Sequence, residues 1–226
     1  MRPVLLALLL AGQAAPPPPT PAGPDIVVNG APGCGPPFAR VHISPMGAPF
    51  RSDGFTDPAA AWFAQADANH DGRLTLAEFA ADADRFFATL DTDHDGEIDP
   101  QEVIVYESQV APEIRLYKLG TGEPRILSKA ERKAAKRAAK ERANYDMAYG
   151  AGRFAALNIP EPVASADLDI NRGVSRAEFA TVAASRFGLL DSTNRGYLTL
   201  DMLPRSPAQQ EIDACRAAAD KAKKTR

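Results

Sequence analysis

Apolar side chains recur at helical spacing in the middle of the chain. Residues three and four apart from Leu76 to Leu90 fall on one face and predict a helix over 77–90. The apolar residues on this face are Leu76, Phe79, Ala83, Phe86, Phe87 and Leu90. Asp57 is a favourable N-cap for a helix that begins at Pro58 and runs to about Ala66. A further helix begins at Pro100 and is expected to end before Pro112.

The same pattern returns 100 residues later. The recurring residues are Asp67, Glu78, Phe79, Phe87, Leu90 and Asp91, which correspond to Asp167, Glu178, Phe179, Phe187, Leu190 and Asp191. The repeat predicts two tandem halves with the same internal spacing. Residues 31–56 are rich in Gly and Pro and predict loops with one strand at Phe38–Ile43.

Two polar segments flank the helix predicted over 77–90. The first loop, residues 67–78, reads DANHDGRLTLAE, and the second loop, residues 91–102, reads DTDHDGEIDPQE. Both place oxygen-bearing side chains at positions 1, 3, 5, 9 and 12, and glycine at position 6. These side chains are Asp67, Asn69, Asp71, Thr75 and Glu78, then Asp91, Asp93, Asp95, Asp99 and Glu102. Six to eight oxygens at this spacing suit a hard divalent cation.

Both segments resemble the twelve-residue EF-hand calcium loop. The resemblance implies that Gly72 and Gly96 make the sharp turn, and that Arg73 and Glu97 at position 7 offer backbone carbonyls. It also implies that position 9 acts through a water, and that Glu78 and Glu102 close the sites with two oxygens each.

The repeat supplies two further loops of lower quality. The third loop, residues 167–178, keeps oxygen donors at positions 1, 3, 5, 9 and 12, but Arg172 stands at position 6 and the glycine has moved to Gly173. Either Arg172 adopts a strained left-handed conformation, at a cost of about 1 kcal/mol, or the loop is reshaped. The third-loop ligands are Asp167, Asp169, Asn171, Gly173, Ser175 and Glu178.

In the fourth loop, residues 191–202, Arg195 takes position 5 and Met202 replaces the closing glutamate. We expect this loop to remain empty. Since a divalent ion favours concentrated negative charge, the number of carboxylates predicts that Ca²⁺ binds most tightly to the second loop, then to the first, and more weakly to the third.

Only residues 79–90 separate the first two loops, so one helix must serve both and hold them about 18 Å apart. The two loops cannot then share a β-bridge. Antiparallel packing of residues 79–90 on 179–190 would instead pair loop one with loop four, and loop two with loop three. The bridging residues, all at position 8, are Leu74, Ile98, Val174 and Leu198.

Over about residues 38–205 the chain resembles secreted or periplasmic EF-hand proteins of bacteria. The short spacing between its hands is also similar to that of lanmodulin, a periplasmic lanthanide binder. Lanmodulin loops carry proline at position 2, where this chain has other residues, whereas Asp99 at position 9 matches their pattern. The residues at position 2 are Ala68, Thr92, Leu168 and Ser192.

The first 14 residues are typical of a signal peptide, with a charged start at Met1-Arg2 and an apolar run over 4–11. This run is shorter than the roughly 20 residues that a membrane span needs. A Pro/Gly-rich linker follows over 15–37. We therefore expect a periplasmic or secreted protein. Cys34 and Cys215 either form a disulfide, which suits an oxidising compartment, or remain unpaired.

The domain prediction comprises a first EF-hand half over 38–112, a connector over 113–158, a second half over 159–205 and a C-terminal helix or tail over 206–226. Ser128 opens a basic helix in the connector through a capping box with Glu131. That helix either contacts an anionic partner or is a solvated surface. We expect no nucleic-acid partner, and no stable membrane insertion.

The predicted fold is mostly α-helical, with EF-hand helix–loop–helix repeats in two cross-paired halves behind a Pro-rich extended lead. The three histidines, His42, His70 and His94, lack zinc-like spacing and are expected on the surface. The phenylalanines of the repeat form either core or a groove exposed by calcium. No catalytic constellation is present, so no enzyme is expected.

These observations predict a calcium buffer or calcium-stabilised module of the cell envelope. One alternative is a calcium-regulated adaptor that binds a partner protein, which the sequence does not name. A second alternative is a lanthanide-binding protein.

Overall fold

The computed structural model describes residues 36–115 and 148–224, together with Lys129 and Lys133. The α-helices among these residues are α1 (Pro58–Ala66), α2 (Leu76–Leu90), α3 (Pro100–Val105), α4 (Arg176–Leu190) and α5 (Pro207–Lys224). The strands are β1 (Val41–Ile43), β2 (Pro49–Arg51), β3 (Leu74–Thr75), β4 (Glu97–Ile98), β5 (Val174–Ser175) and β6 (Tyr197–Leu198). About half of the described part is therefore helical, and its strands are few and short.

Side-chain caps determine where the helices begin. The Asp57 side chain accepts a hydrogen bond from the Ala59 N–H at 2.9 Å, with Pro58 as the first residue of α1. Three later helices begin with a capping box between positions 9 and 12 of the preceding loop. The boxes pair Thr75 with Glu78, Asp99 with Glu102, and Ser175 with Glu178. Each box thus joins a loop to the helix that leaves it.

The central contact of the fold is between α2 and α4. The ring centroids of Phe79 and Phe187 lie 5.7 Å apart, and those of Phe87 and Phe179 lie 5.6 Å apart. Because the start of each helix meets the end of the other, the two helices pack antiparallel. All four rings are buried and form part of the core, whereas Phe86 is only partly buried.

The short strands connect the two halves. Strand β3 pairs with β6 in the register Leu74↔Leu198, and β4 pairs with β5 in the register Ile98↔Val174. The first loop therefore pairs with the fourth, and the second with the third, through the position-8 residues. All four side chains are essentially inaccessible to solvent, so the bridges are part of the core.

The second half departs from the repeat at both ends. A 3₁₀ turn over Ala164–Ala166 replaces the helix that enters the third loop, and another over Leu200–Met202 forms the end of the fourth. Prolines explain both changes. Pro160 and Pro162 lack the N–H that a helix needs, and Pro204 disfavours the helical conformation for Leu203 before it.

The strand predicted at Phe38–Ile43 is shorter in the structure, where it spans Val41–Ile43 and forms part of a hairpin. Strand β1 pairs with β2 through a turn in which Gly47 has a φ of 107°. His42 of β1 was expected on the surface, and this expectation is wrong. Its side chain is 3% exposed, and its ring centroid lies 5.6 Å from that of the buried Trp62.

Helix α3 continues as a π-helical turn over Tyr106–Val110 and ends before Pro112, as predicted. The signal peptide, the linker and most of the basic helix lie outside the described residues, although Lys129 and Lys133 are helical and exposed. The disulfide stays a prediction because Cys34 also lies outside them. None of the described helices is long and apolar enough to cross a membrane.

Candidate metal centres

Each of the first two loops begins with a buried aspartate that ends the preceding helix. The Gly72 N–H donates to Asp67 Oδ2 at 2.9 Å, and the Gly96 N–H donates to Asp91 Oδ2 at 3.2 Å. Both glycines have positive φ, 78° and 89°, which glycine adopts without steric cost. The turn at position 6 thus binds one oxygen of each aspartate.

The second oxygen of each of these aspartates has no partner. Asp67 Oδ1 and Asp91 Oδ1 are buried, and no hydrogen bond reaches either of them among the described residues. An unsatisfied buried charged oxygen costs 1–3 kcal/mol or more. A cation inside each loop would satisfy the unpartnered oxygen of that loop. The residues present therefore fit the metal that the loops imply.

Positions 3 and 5 wrap the loop around its centre. In the first loop, Asn69 Oδ1 accepts from the Asp71 N–H at 2.9 Å, and Asp71 Oδ1 accepts from the Arg73 N–H at 2.8 Å. In the second loop, Asp95 Oδ1 accepts from the Glu97 N–H at 2.9 Å. The Arg73 guanidinium lies 4.8 Å from the Tyr197 ring centroid. At position 7 of the first loop, only the backbone is therefore left to act as a ligand.

The glutamate at position 12 reaches back to the start of its loop. Glu78 Oε2 accepts from the Thr75 hydroxyl at 2.8 Å, while its Oε1 accepts from the Asn69 N–H at 3.3 Å. Glu178 repeats the arrangement with Ser175 and Leu168, at 2.7 and 2.9 Å. These hydrogen bonds hold the closing carboxylate against both ends of the loop.

Hydrogen bonds also lower the pKa of the closing glutamates of the first and third loops. The Ser175 hydroxyl and backbone lower the pKa of Glu178 to about 2. The backbone and hydroxyl of Thr75 lower the pKa of Glu78. Both groups therefore carry their negative charge at neutral pH, as a calcium ligand must.

Carboxylates converge in two of the loops. Oxygens of Asp91, Asp93 and Asp95 lie within 4.8 Å of one another, as do oxygens of Asp167, Asp169 and Glu178. Like charges this close repel unless a cation offsets them. Glu102 is outside the first group; its Oε1 accepts from the Thr92 hydroxyl at 2.7 Å, and its Oε2 from the Asp99 N–H at 3.1 Å.

Thr92 is a positioning residue that the sequence reasoning missed. Its hydroxyl at position 2 bonds the closing glutamate across the second loop. The available signal was a hydroxyl residue at position 2 of a loop that also has a closing glutamate. The first and third loops have the glutamate but no hydroxyl at position 2, where Ala68 and Leu168 stand.

The third loop tolerates the displaced glycine through strain. Arg172 at position 6 has a φ of 84°, whereas Gly173 is not in the left-handed region. Of the two alternatives, the structure therefore shows the strained arginine. Both oxygens of Asp167 are bonded, Oδ1 to the Asn171 N–H at 3.2 Å and Oδ2 to the Arg172 N–H at 3.0 Å.

The fourth loop satisfies its aspartate internally. Asp191 Oδ1 accepts from the Arg195 N–H at 2.9 Å, and Asp191 Oδ2 accepts from the Gly196 N–H at 2.7 Å. Met202 at position 12 offers no carboxylate. This loop has the backbone turn without the oxygen donors.

The EF-hand family model matches residues 59–81 and 83–104, which contain the first and second loops. These two segments are EF hands. The EF hand implies calcium binding, and the unpartnered oxygens of Asp67 and Asp91 lie inside the two matched segments. No curated protein and no solved structure matches the chain at a significant level.

Proposed function

We propose that the chain is a periplasmic or secreted calcium-binding protein whose ions occupy the first three loops and stabilise its fold. The order of affinity is the second loop, then the first, then the third, and the fourth is a structural partner. The observation that carries the proposal is the pair of buried, unpartnered oxygens on Asp67 and Asp91.

The third and fourth places in this order follow from the hydrogen bonds at position 1. Asp167 retains a cluster with Asp169 and Glu178, which supports binding, although its oxygens already accept backbone hydrogen bonds. Both oxygens of Asp191 also accept backbone hydrogen bonds, and positions 3, 5, 9 and 12 of its loop carry no carboxylate. An ion there would meet Arg195 at position 5, and Asp201 at position 11 already accepts a hydrogen bond from the Thr199 hydroxyl at 2.6 Å.

Burial of the phenylalanines favours a calcium-stabilised module over an adaptor. The two halves pack together through buried ring contacts between α2 and α4, made by Phe79, Phe87, Phe179 and Phe187. An ion that binds the folded state alone adds about 2.7 kcal/mol of stability at 100 times its dissociation constant. Extracellular modules bind calcium with dissociation constants on the order of 10⁻⁴–10⁻³ M, and the loops are proposed to work in that range.

Residues 1–14 support location outside the cytoplasm, since they have the charged start and apolar run of a secretory leader. N-terminal sequencing of the mature protein tests this part: cleavage between Ala14 and Ala15 is expected. A mature chain that retains Met1 would contradict it. The proposal includes no catalytic activity, no nucleic-acid partner and no stable membrane insertion.

Calcium calorimetry tests the binding itself. The intact protein is expected to bind three ions, and Glu102→Gln is expected to lose the tightest, because the variant removes the closing charge of the second loop. Met202→Leu in the fourth loop is the matched control at the same position and should leave all three. Absence of heat at millimolar calcium would contradict the proposal.

A hydrophobic dye separates the stabilised module from the adaptor. Dye binding is expected to fall when calcium is added, because the ions tighten a closed core. A rise would support the adaptor. Trp62, buried beside the first loop, can sensitise terbium emission. Emission that survives a large calcium excess would support the lanthanide alternative, and its loss at modest calcium removes it.

A further inference from the structure

The second and third loops interlock through a side chain that reaches across the short sheet. Strands β4 and β5 pair in the register Glu97↔Ser175, and the Arg176 N–H donates to the Gly96 carbonyl at 3.2 Å. Beside this pair, the Glu97 side chain fills the space that a Cβ on Gly173 would occupy. Such a Cβ would collide with the Glu97 carboxylate and lie 2.7 Å from its Cγ.

The absence of a Cβ at Gly173 lets the Glu97 carboxylate lie directly against the third loop. The φ of Gly173 is not in the left-handed region, so its backbone conformation does not itself require glycine. The turn at position 6 is made by Arg172, at a φ of 84°. The third loop tolerates a strained arginine at position 6, and its glycine lies at position 7, directly against Glu97.

The backbone of Glu97 is part of the second loop, whereas its side chain packs against Gly173 of the third loop. Its N–H donates to Asp95 Oδ1 at 2.9 Å, within the second loop. Among the described residues, no cationic side chain pairs with its carboxylate; the nearby Arg176 pairs instead with Asp84 at 2.8 Å. The Glu97 charge is consequently free to act on the third loop.

We propose that Glu97 is an affinity-determining residue of the third calcium site. Its side chain lies against Gly173, the position-7 residue whose carbonyl is the expected ligand, and adds a negative charge beside the loop with the strained turn. This inference rests on the proposed calcium binding.

The first test is a double-variant experiment by calcium calorimetry on the full chain, in which the third site is identified by its loss in Glu178→Gln. Gly173→Ala is expected to weaken the third site about fivefold, because its Cβ displaces the Glu97 carboxylate from the loop. Glu97→Ala removes the same carboxylate, so the double variant should bind the third ion about as tightly as Glu97→Ala alone. Gly188→Ala is the matched control, since its Cβ meets no atom within 4 Å, and it should leave the third site unchanged.

The second test isolates the charge. Glu97→Gln keeps the shape and should weaken the third site about fivefold, the effect of one charge on a divalent ion across several ångströms of a well-hydrated surface. Glu211→Gln, at an exposed carboxylate outside the loops, should leave the third site unchanged. Helical circular dichroism confirms that each variant folds.

The outcomes distinguish this inference from the proposed function. A wild-type protein that binds no calcium overturns both. A wild-type protein that binds ions in the first two loops alone overturns the inference and leaves the proposed function. The inference is also overturned if Gly173→Ala leaves the third site intact, if the losses of Gly173→Ala and Glu97→Ala add in the double variant, or if Glu97→Gln leaves the affinity of the third site unchanged.

Discussion

Four aspartates at the same loop position have different surroundings, and the difference is made by backbone N–H groups. In the third and fourth loops, both oxygens of Asp167 and Asp191 accept such groups. In the first and second loops, one oxygen of Asp67 and of Asp91 is buried and unpartnered. Residue identity alone predicts four equal ligands, whereas the hydrogen bonds single out the two in the EF hands.

His42 provides a prediction at the residue scale that is independent of calcium. Burial lowers its pKa to about 4, partly offset by the nearby Phe154 backbone, and neither ring nitrogen is hydrogen-bonded among the described residues. Because the folded pKa is depressed below 6.5, this neutral histidine contributes full stability above pH 6.5, and the contribution is lost as the pH falls towards 4. The loss is about 3 kcal/mol.

His42→Phe should therefore flatten the dependence of unfolding free energy on pH between 6.5 and 4, measured by urea denaturation with a chelator present. His70→Asn, a change at an exposed histidine, should leave the wild-type dependence. An unchanged slope in His42→Phe would show that this side chain is hydrated in the folded protein.

Helices α2 and α4 show what helical spacing can predict. The phenylalanines at 79 and 87, and their repeats at 179 and 187, identify both helices and their buried faces. Their contacts then require antiparallel packing. Spacing alone overstates the burial of Leu76. This residue is 43% exposed because it begins α2 at the edge of the sheet.

Truncation at this interface should be costly. Phe87→Ala removes a fully buried ring that packs on Phe179, and it is expected to lower the unfolding free energy by about 3–5 kcal/mol. Leu189→Ala on α4 is the control; its side chain is 64% exposed, so a loss below about 0.5 kcal/mol is expected. Equal losses in urea denaturation would contradict the packing described.

The sequence predicts α1, α2, α3 and α4 because their caps and apolar spacing are local. It does not predict the 3₁₀ turns beside the third and fourth loops, where prolines override the repeat. His42 was also missed. One buried histidine in a three-residue strand leaves no periodic signal, and its burial depends on Trp62, which is 20 residues away in the chain.

At the scale of the molecule, a buried arginine joins the two halves. Arg186 of α4 donates to the Pro45 carbonyl at 2.8 Å and to the Pro162 carbonyl at 2.9 Å. Nearby, burial raises the pKa of Glu161 to about 7, with the charge of Glu107 adding to the shift, and the Ala164 N–H donates to its carboxylate. We therefore expect the stability of the junction between the halves to depend on pH.

The folded pKa of Glu161 is raised above 4.5, so its contribution to stability is full below pH 4.5 and is lost as the pH rises through 7. Glu161→Gln, which imitates the protonated group, should be about 2 kcal/mol more stable than wild type at pH 8 and nearly equal to it at pH 4.5. Thermal unfolding at both pH values measures this. Glu211→Gln, at an exposed carboxylate, should show no such gain, and a destabilised Glu161→Gln at pH 8 would contradict the assignment.

The central claim is that ions enter the first and second loops where Asp67 and Asp91 have unpartnered oxygens, and that the fourth loop stays empty. An NMR calcium titration of the glycine amides tests this most directly. The N–H groups of Gly72, Gly96 and Gly196 each donate to Oδ2 of the aspartate at position 1 of the same loop. Because an ion polarises the carboxylate that it binds, the amide signals of Gly72 and Gly96 should move strongly with calcium and that of Gly196 far less. Three unmoved signals, or a shift of Gly196 as large as the other two, would contradict the account.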